Sequence, residues 1–182
     1  MQDNMITFRP ATTADSLLLS RGLHAALLIN DVTDERLRRF ADLVCSRHDV
    51  LYSPQNTTVA MADGNEAGIL TAYDGSRYAA MRQVTMPLLK REFDIEFPEM
   101  EDETEAGEYY LDSLAVMPGF RNRGIGRALL THAIAEGKRL GLAVTLAVDP
   151  DNTGAQRLYH SLGFRHMRDI FIFGHTYWKW KV

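Results

Sequence analysis

The sequence predicts an α/β domain with a mixed, mostly antiparallel central sheet of about seven strands that is flanked by helices. Three observations support this class. Seven short segments have strand-like composition, five longer segments carry apolar residues at helical spacing, and the connections include both a tight hairpin and a βαβ unit. With 182 residues and 46% apolar side chains the chain can bury one core, so we expect a single domain over residues 1–182.

The predicted elements follow one another along the whole chain. The predicted strands cover residues 6–9, 57–62, 67–73, 109–116, 143–148, 164–167 and 170–179. The predicted helices cover about residues 12–30, 33–45, 78–93, 124–140 and 153–162. The fourth strand, the fourth helix and the fifth strand form the βαβ unit.

Local signals mark the ends of these elements. Thr12, with Asp15 three residues later, predicts a helix N-terminus, and Gly141 predicts a left-handed cap at the end of the fourth helix. Asp63-Gly64-Asn65 predicts a hairpin turn between the second and third strands. Pro87 lies inside the third helical segment, so we expect it to kink or divide that helix.

A strongly acidic segment lies in the long connection between the third and fourth strands, at about residues 75–107. Nine of the 24 acidic residues fall between Glu92 and Glu108. Because such a segment lacks the apolar side chains of a core, we expect an exposed loop or lid. Two interpretations stay open: the insertion borders a binding site and attracts a cationic group, or it is solvated and contacts no ligand.

Composition and charge exclude several classes of protein. The single cysteine, Cys45, cannot form an internal disulfide, and the N-terminus lacks a signal-peptide pattern. No apolar run has the length of a membrane span, so we expect a cytoplasmic protein without membrane contact. The six histidines show no metal-ligand spacing, which predicts no metal.

The charge is unevenly distributed. Residues 1–118 carry 10 basic and 20 acidic groups, a net charge of −10, and residues 119–182 carry 10 basic and 4 acidic groups, a net charge of +6. This asymmetry suits either a focused field across a cleft or uneven solvation of exposed faces. We expect no nucleic-acid partner.

Residues 121–130 carry the most informative pattern. Gly124 and Gly126 stand where the loop after a strand becomes a helix N-terminus, and three arginines surround them. Glycine admits a ligand close to the backbone, while the unpaired amides and the dipole of a first helical turn bind anions. The pattern therefore predicts a cradle for a diphosphate. The predicted cradle residues are Arg121, Asn122, Arg123, Gly124, Ile125, Gly126 and Arg127.

A dinucleotide-binding fold is the competing interpretation of this cradle. Asp149 follows Gly126 by about 23 residues, near the position of a ribose-binding acid. Leu129, however, stands where the dinucleotide fingerprint has its third glycine, and no further βαβ units remain in the last 30 residues. The sequence therefore disfavours NAD.

Four segments of the chain match one family pattern. They are Ile6-Thr-Phe-Arg-Pro-Ala-Thr, Gly68-Ile69, Leu114-Ala-Val-x-Pro-x-x-Arg-x-x-Gly-x-Gly126 and Asn152-x-x-Ala-x-x-Leu-Tyr-x-x-x-Gly-Phe164. On these segments the chain resembles the GNAT superfamily of N-acetyltransferases, over most of its length. The third segment is highly specific for this superfamily, and the occurrence of the third and fourth segments at this spacing is more specific still. The resemblance implies a sheet that is splayed at the cofactor site, with acetyl-CoA as acyl donor.

The resemblance also implies where acetyl-CoA binds. Its diphosphate would lie on the amides of about residues 121–126, and its pantetheine arm would pair with backbone groups where two strands splay apart. The residues implied to contact this arm are Leu114, Ala115, Val116 and Asn152. Tyr159 matches the tyrosine near the sulfur, where its hydroxyl can protonate the departing thiolate, and a core aromatic role is the alternative.

Transfer to an amine also requires a base, because an alkylammonium with a pKa of about 10.4 must lose its proton first. Asp112, on the strand that leads to the thioester, is the first candidate. Glu108 is the second, since it lies four residues earlier and on the same face. A structural hydrogen bond at Asp112, with proton transfer through solvent, is the alternative.

The acceptor is predicted only as a class. A primary amine of a small molecule or a peptide fits the reaction, cationic amines included, but no residue identifies it. Tyr177, Trp178 and Trp180 alternate on the last strand, which suits core packing, acceptor contacts or a homodimer interface. A non-catalytic acyl-CoA-binding sensor and a pure interaction module are the competing functions.

Overall fold

In residues 5–27, 33–94 and 100–182, which it describes, the computed structural model has one seven-stranded sheet with helices on both faces. The strands are β1 Ile6–Pro10, β2 Thr57–Ala62, β3 Asn65–Asp74, β4 Glu108–Val116, β5 Ala143–Val148, β6 Arg165–Ile172 and β7 His175–Lys181. The helices are α1 Ser16–Leu27, α2 Asp34–Cys45, α3 Tyr78–Phe93, α4 Ile125–Arg139 and α5 Thr153–Ser161. None of the helices in these ranges combines the length and the apolar character needed to cross a membrane.

The sheet confirms the predicted fold class. Its strand order is β1-β2-β3-β4-β5-β7-β6, and all neighbours are antiparallel except β4 and β5, which are parallel and joined through α4. One core lies between the sheet and α4 with α5. Two further clusters lie between the opposite face and α1, α2 and α3. The sheet is therefore covered on both faces, and its middle holds the parallel pair.

The parallel strands β4 and β5 pair over only part of their length. The pairing runs from Glu108 opposite Ala143 to Leu111 opposite Leu146. Residues 112–116, all of them described, continue along β3 without a partner in β5. Asp112, the first residue past the last pair, is also the extra residue of a β-bulge, because Thr71 pairs with Ser113 and Ala72 with Leu111. The predicted splay is thus present, and it begins at Asp112.

The acidic insertion returns to the sheet through residues 100–107, which we call the strap. At one end, the Glu101 amide donates to the Phe171 carbonyl and the Phe171 amide donates to the Glu101 carboxylate, both at 2.9 Å. At the other end the strap leads into β4. It therefore crosses the sheet face from the edge strand β6 to the central strand β4.

The strap corrects the prediction of an exposed acidic loop or lid. Glu103 is only 8% exposed and Thr104 only 3%. The carboxylate of Glu103 can be buried because two tyrosine hydroxyls, those of Tyr78 and Tyr110, donate hydrogen bonds to it. Residues 95–99 of the predicted loop lie outside the described residues.

Several predicted boundaries need smaller corrections. Pro87 lies inside α3 and does not divide it. Proline has no amide hydrogen, so the carbonyl of Gln83 loses its helical hydrogen bond. Both residues lie on the exposed side of the helix, where water can bind that carbonyl instead. The last hairpin turns at Phe173-Gly174, both at positive φ, rather than near residues 168–169. The predicted capping box of Thr12 and Asp15 is present, but it opens a short 3₁₀ turn before α1. The predicted continuation of this helix to about Asn30 lies outside the described residues from position 28.

A buried ion pair joins four segments at the paired end of β4 and β5. The ammonium of Lys179 in β7, 1% exposed, lies 2.6 Å from the carboxylate of Glu108 in β4. The same carboxylate oxygen accepts from the hydroxyls of Thr104, on the strap, and Thr145, in β5. These contacts lower the pKa of Glu108 although burial opposes them. The pair therefore ties the strap to β4, β5 and β7.

We expect Lys179→Met to lower the free energy of unfolding by about 3–5 kcal/mol, because it leaves the Glu108 carboxylate buried without its partner. Urea unfolding at pH 7 measures this change. The double variant Lys179→Met with Glu108→Leu should recover much of the loss, since no charge is then buried. Arg139→Met, which breaks the exposed pair with Glu136, is the control and should change stability by less than about 1 kcal/mol. Equal losses for Lys179→Met and Arg139→Met would contradict this assignment.

Candidate active site

The predicted cradle forms at the N-terminus of α4. Asn122 (φ 60°) and Gly124 (φ 81°) both adopt the left-handed conformation, which turns the chain sharply into the helix. The first helical hydrogen bond runs from the amide of Ala128 to the carbonyl of Gly124. The amides of the first turn therefore lack intrahelical acceptors, and the positive end of the helix dipole adds to them. This geometry suits an anion such as a diphosphate.

The cradle lies directly against the open length of β4. A Cβ atom added at Gly126 would lie 3.6 Å from Val116 and 3.8 Å from Leu114, both on the α4 face of the sheet. The side chain of Ala115 points to the other face and packs with Ile69. The structure thus brings the predicted strand residues and the predicted cradle together in one continuous surface.

The three arginines of the cradle occupy different positions. Arg123 pairs with the Asp63 carboxylate at 2.5 Å and lies over the Phe120 ring, so it fixes the loop before α4 to the β2–β3 turn. Arg127 donates to the Ser161 hydroxyl at the end of α5. Arg121 is exposed and lines a cleft of about 590 Å³ beside the cradle. Arg121 is therefore the arginine best placed to meet an anion from solvent.

Asn152 and Tyr159 both lie on α5. The Asn152 side-chain oxygen accepts from the Ala155 amide at 3.0 Å, so this residue is the N-cap of α5. The Tyr159 ring is half-buried and makes an edge contact with Phe164. It packs against the same core as Leu114, on the α4 face. Burial raises the pKa of Tyr159, so its phenol is protonated at neutral pH.

Asp112 lies on the opposite face of the sheet from Tyr159. Its two carboxylate oxygens accept hydrogen bonds from the Tyr73 hydroxyl, at 2.5 Å, and the Ser113 hydroxyl, at 2.6 Å. Burial raises the pKa of Asp112 although both hydrogen bonds oppose the rise. Its side chain is only partly buried, unlike those of the neighbouring tyrosines. Asp112 is therefore a carboxylate of increased basicity at the start of the open strand.

One residue of this site was missed by the sequence analysis. Glu103 on the strap accepts from the Tyr110 hydroxyl at 2.7 Å and from the Tyr78 hydroxyl at 3.2 Å. Burial, and after it the charge of Asp112, raises the pKa of Glu103 to about 7. No local pattern separates Glu103 from the other acids of the insertion, because its partners come from α3 and β4.

Several of the predicted acidic groups are paired within the chain. Asp102 pairs with Arg82 at 2.5 Å, and Glu101 pairs with Arg168 at 3.0 Å. Exposed pairs of this kind contribute little to stability, but they reduce the field that the insertion presents to solvent.

Known proteins resemble this chain in sequence and in fold. The model of the acetyltransferase (GNAT) family matches residues 30–164. A crystal structure of an acetyltransferase superposes with a TM-score of 0.77 at 28% sequence identity, covering 96% of this chain and 97% of that chain.

Two curated relatives match shorter segments. Mycothiol acetyltransferase of Geodermatophilus obscurus is 37% identical over 107 residues, which cover 57% of this chain and 31% of that protein. The ribosomal protein bS18-alanine N-acetyltransferase of Escherichia coli K12 is 45% identical over 58 residues, 31% of this chain and 39% of that protein. The chain thus matches less than two fifths of the length of either relative. Because the family model matches well over half of its residues, the protein belongs to the GNAT family of acetyltransferases.

Proposed function

We propose that the protein is an enzyme that transfers an acetyl group from acetyl-CoA to a primary amine by direct transfer in a ternary complex. One observation carries the proposal: the open length of β4 lies beside a helix N-terminus whose first-turn amides have no intrahelical acceptor. An extended ligand arm can pair with the strand while a diphosphate at its end meets the amides. Acetyl-CoA has both parts.

The proposed contacts with acetyl-CoA follow the position of each residue. The amides of residues 121–126 hold the diphosphate, and Arg121 adds a positive charge. The backbone of residues 114–116 pairs with the pantetheine arm where β5 is absent. The side-chain oxygen of Asn152 is used by the cap of α5, so we assign only its amide nitrogen to the arm.

The two sides of the sheet supply the two proton transfers. Asp112, on the α1–α3 face, accepts the proton of the alkylammonium and so frees the nitrogen lone pair that attacks the acyl carbon; the second proton that the nitrogen loses after the carbon–nitrogen bond forms passes to solvent. Tyr159, on the α4–α5 face, donates a proton to the sulfur as the carbon–sulfur bond breaks and the electron pair leaves with the sulfur. A backbone amide near Val116 polarises the acyl carbonyl. The amine therefore approaches from the strap side, and the thiol leaves on the α5 side.

Asp112 is a better base than Glu108 on the observed contacts. The ammonium of Lys179 and two threonine hydroxyls hold Glu108 in its ionised form, and its pKa is lowered. Among the residues that the structure describes, Asp112 is hydrogen-bonded only to hydroxyl groups and pairs with no cation, and burial raises its pKa. We therefore assign the base to Asp112 and a structural role to Glu108.

The acceptor is proposed as an amine of a small molecule or a peptide. The two relatives above are named as a mycothiol acetyltransferase and as an N-acetyltransferase of an alanine in a ribosomal protein, so their names refer to a small molecule and to a protein. A cationic acceptor is compatible with the acids near the strap, although part of their charge is already paired.

Gly124→Ala should weaken acetyl-CoA binding at least about tenfold, because a methyl group would stand beside the first-turn amides and the left-handed φ would be strained. Gly141→Ala is the matched control. Gly141 caps the other end of α4, has a φ of 71° and also has open space at its Cβ position, so the two variants share the strain. Isothermal titration with acetyl-CoA compares them. Equal affinity of the two variants for acetyl-CoA would show that the cradle does not bind this ligand.

Release of free thiol from acetyl-CoA, followed over a panel of amines, tests the enzymatic function. We expect release that depends on the amine and saturates with it. The panel should include alkyl diamines, amino acids and peptides with free α-amines. Binding of acetyl-CoA without thiol release from any amine would favour the acyl-CoA sensor, and absence of binding would favour the interaction module.

Asp112→Asn and Tyr159→Phe should each lower kcat by roughly 10²-fold, but with different pH profiles. In Asp112→Asn, the rise of kcat/KM at low pH that reports ionisation of this carboxylate is lost. Instead kcat/KM keeps rising with pH up to the pKa of the free amine, about 10.4 for an alkylamine. Tyr159→Phe lowers the rate across neutral pH and leaves the low-pH limb in place, because the base is unchanged. A retained limb in Asp112→Asn would assign the base elsewhere.

A further inference from the structure

The strap places a second acid behind Asp112. Glu103 and Asp112 are held by neighbouring tyrosines: Tyr110 donates to Glu103, Tyr73 donates to Asp112, and the two rings pack with centroids 6.0 Å apart. Tyr78, which also donates to Glu103, stacks on Tyr73. Two carboxylates therefore share one buried, tyrosine-lined region.

The groups that surround Glu103 are mostly neutral hydrogen-bond donors. Tyr78 from α3 and Tyr110 from β4 bind it directly. Farther away, the charge of Arg82 on α3 favours its ionised form, and that of Asp112 on β4 opposes it. Tyr52, before β2, and Tyr177 on β7 also lie within electrostatic range.

Asp112 has a similar environment. Its hydrogen-bond donors are Tyr73 on β3 and its neighbour Ser113, and its charge reaches Tyr52 and Tyr110. Unlike Glu108, neither acid has a direct ion pair among the described residues. Their like charges therefore act on each other through a medium of low polarity.

We propose that Glu103 is a positioning residue of acetyl transfer, whose charge acts on Asp112 across the tyrosines and makes Asp112 a stronger base. This inference rests on the proposed function of Asp112. A second negative charge nearby raises the free energy of the ionised Asp112 and so increases its affinity for the proton that the amine loses. The strap thereby becomes part of the reaction machinery without touching the substrate.

The coupling predicts that the two acids titrate as a pair. Burial, and after it the negative charge that Asp112 already carries, raises the pKa of Glu103 to about 7, so Glu103 is the second acid of the pair to ionise. Above that pH both are charged, and Asp112 works at its greatest basicity. Below it Glu103 is neutral and the base is weaker.

The first experiment measures the coupling without turnover. Carbon-13 NMR of labelled glutamate carboxyls, with the Glu103 signal assigned by its loss in Glu103→Gln, follows the titration in the full chain. We expect a midpoint near pH 7 that falls by about one pH unit in Asp112→Asn, because the negative neighbour is removed. In Tyr110→Phe the midpoint should rise, because a hydrogen bond to the ionised form is lost. An unchanged midpoint in Asp112→Asn would overturn the proposal whatever the activity.

The second experiment measures the effect on the reaction. In the intact enzyme kcat/KM should rise in two steps with pH, the upper one near pH 7. Glu103→Gln should lose the upper step and fall about 3- to 10-fold at pH 8, with a smaller change below pH 6. Glu105→Gln, an exposed acid on the same strap, is the matched control and should keep both steps.

The outcomes separate this inference from the proposed function. If Asp112→Asn keeps the low-pH limb, Asp112 is not the base and both statements fail. If that limb is lost but Glu103→Gln keeps the upper step, only the role of Glu103 fails. A purely structural role would lower the rate of Glu103→Gln equally at all pH values, which also overturns the inference.

Stability provides a check that Glu103→Gln folds. The pKa of Glu103 is raised in the folded state, so the intact protein loses stability as the pH rises through about 7, when a buried charge forms. The glutamine variant has no such charge. Its melting temperature should therefore equal or exceed that of the unmodified protein above pH 7, and the opposite order would contradict the burial of a charge that lacks a cationic partner.

Discussion

The separation of β4 from β5 after Leu111 is the constraint on which the rest of the site depends. Strands that paired over their full length would leave no backbone groups for a ligand and no passage between the two faces of the sheet. The bulge at Asp112 coincides with the point of separation, so a partly buried carboxylate lies where the open length of β4 begins. The open strand then runs to the helix N-terminus that the βαβ connection places beside it.

The approach of α4 to the sheet depends on a small residue in β3. A Cβ atom at Gly68 would lie 2.8 Å from the Ala115 carbonyl and 3.2 Å from the Ile125 side chain. Any larger residue would push the first turn of α4 away from the end of β4. Gly68 therefore allows α4 to pack close to the sheet, and Gly124 allows the chain to turn into the first turn of α4.

Two buried glutamates, Glu103 within the strap and Glu108 directly after it, illustrate two ways to bury a carboxylate. Glu108 is compensated by a full positive charge and stays ionised, so it serves as a fixed tie between strands. Glu103 is compensated only by hydroxyl groups, so it stays close to its titration point at neutral pH. The same short segment thus combines a rigid attachment with a group that can change its charge.

The features that could be predicted from sequence are those whose physical cause is local. The cap at Thr12, the turn at Asp63-Gly64 and the cradle glycines each depend on a few adjacent residues, and their patterns predicted them. Glu103 depends on Tyr78, 25 residues away, so its burial has no local signal. The sequence showed an acidic insertion, but not which of its acids would enter the core.

The charge asymmetry of the sequence has a similar explanation. The acidic first part and the basic last part of the chain meet in the fold: Glu101 pairs with Arg168, Glu108 with Lys179 and Asp63 with Arg123. Some of the opposite charges of the two parts are therefore paired in contacts that fix the strap and the cradle loop to the sheet. These paired charges contribute less to the field that reaches solvent. Long-range attraction of a cationic acceptor is weakened accordingly. In the proposed reaction, acceptor selection would then depend on the short-range geometry between the strap and the gap at Asp112, where an amine would have to lie within hydrogen-bond distance of its proposed base.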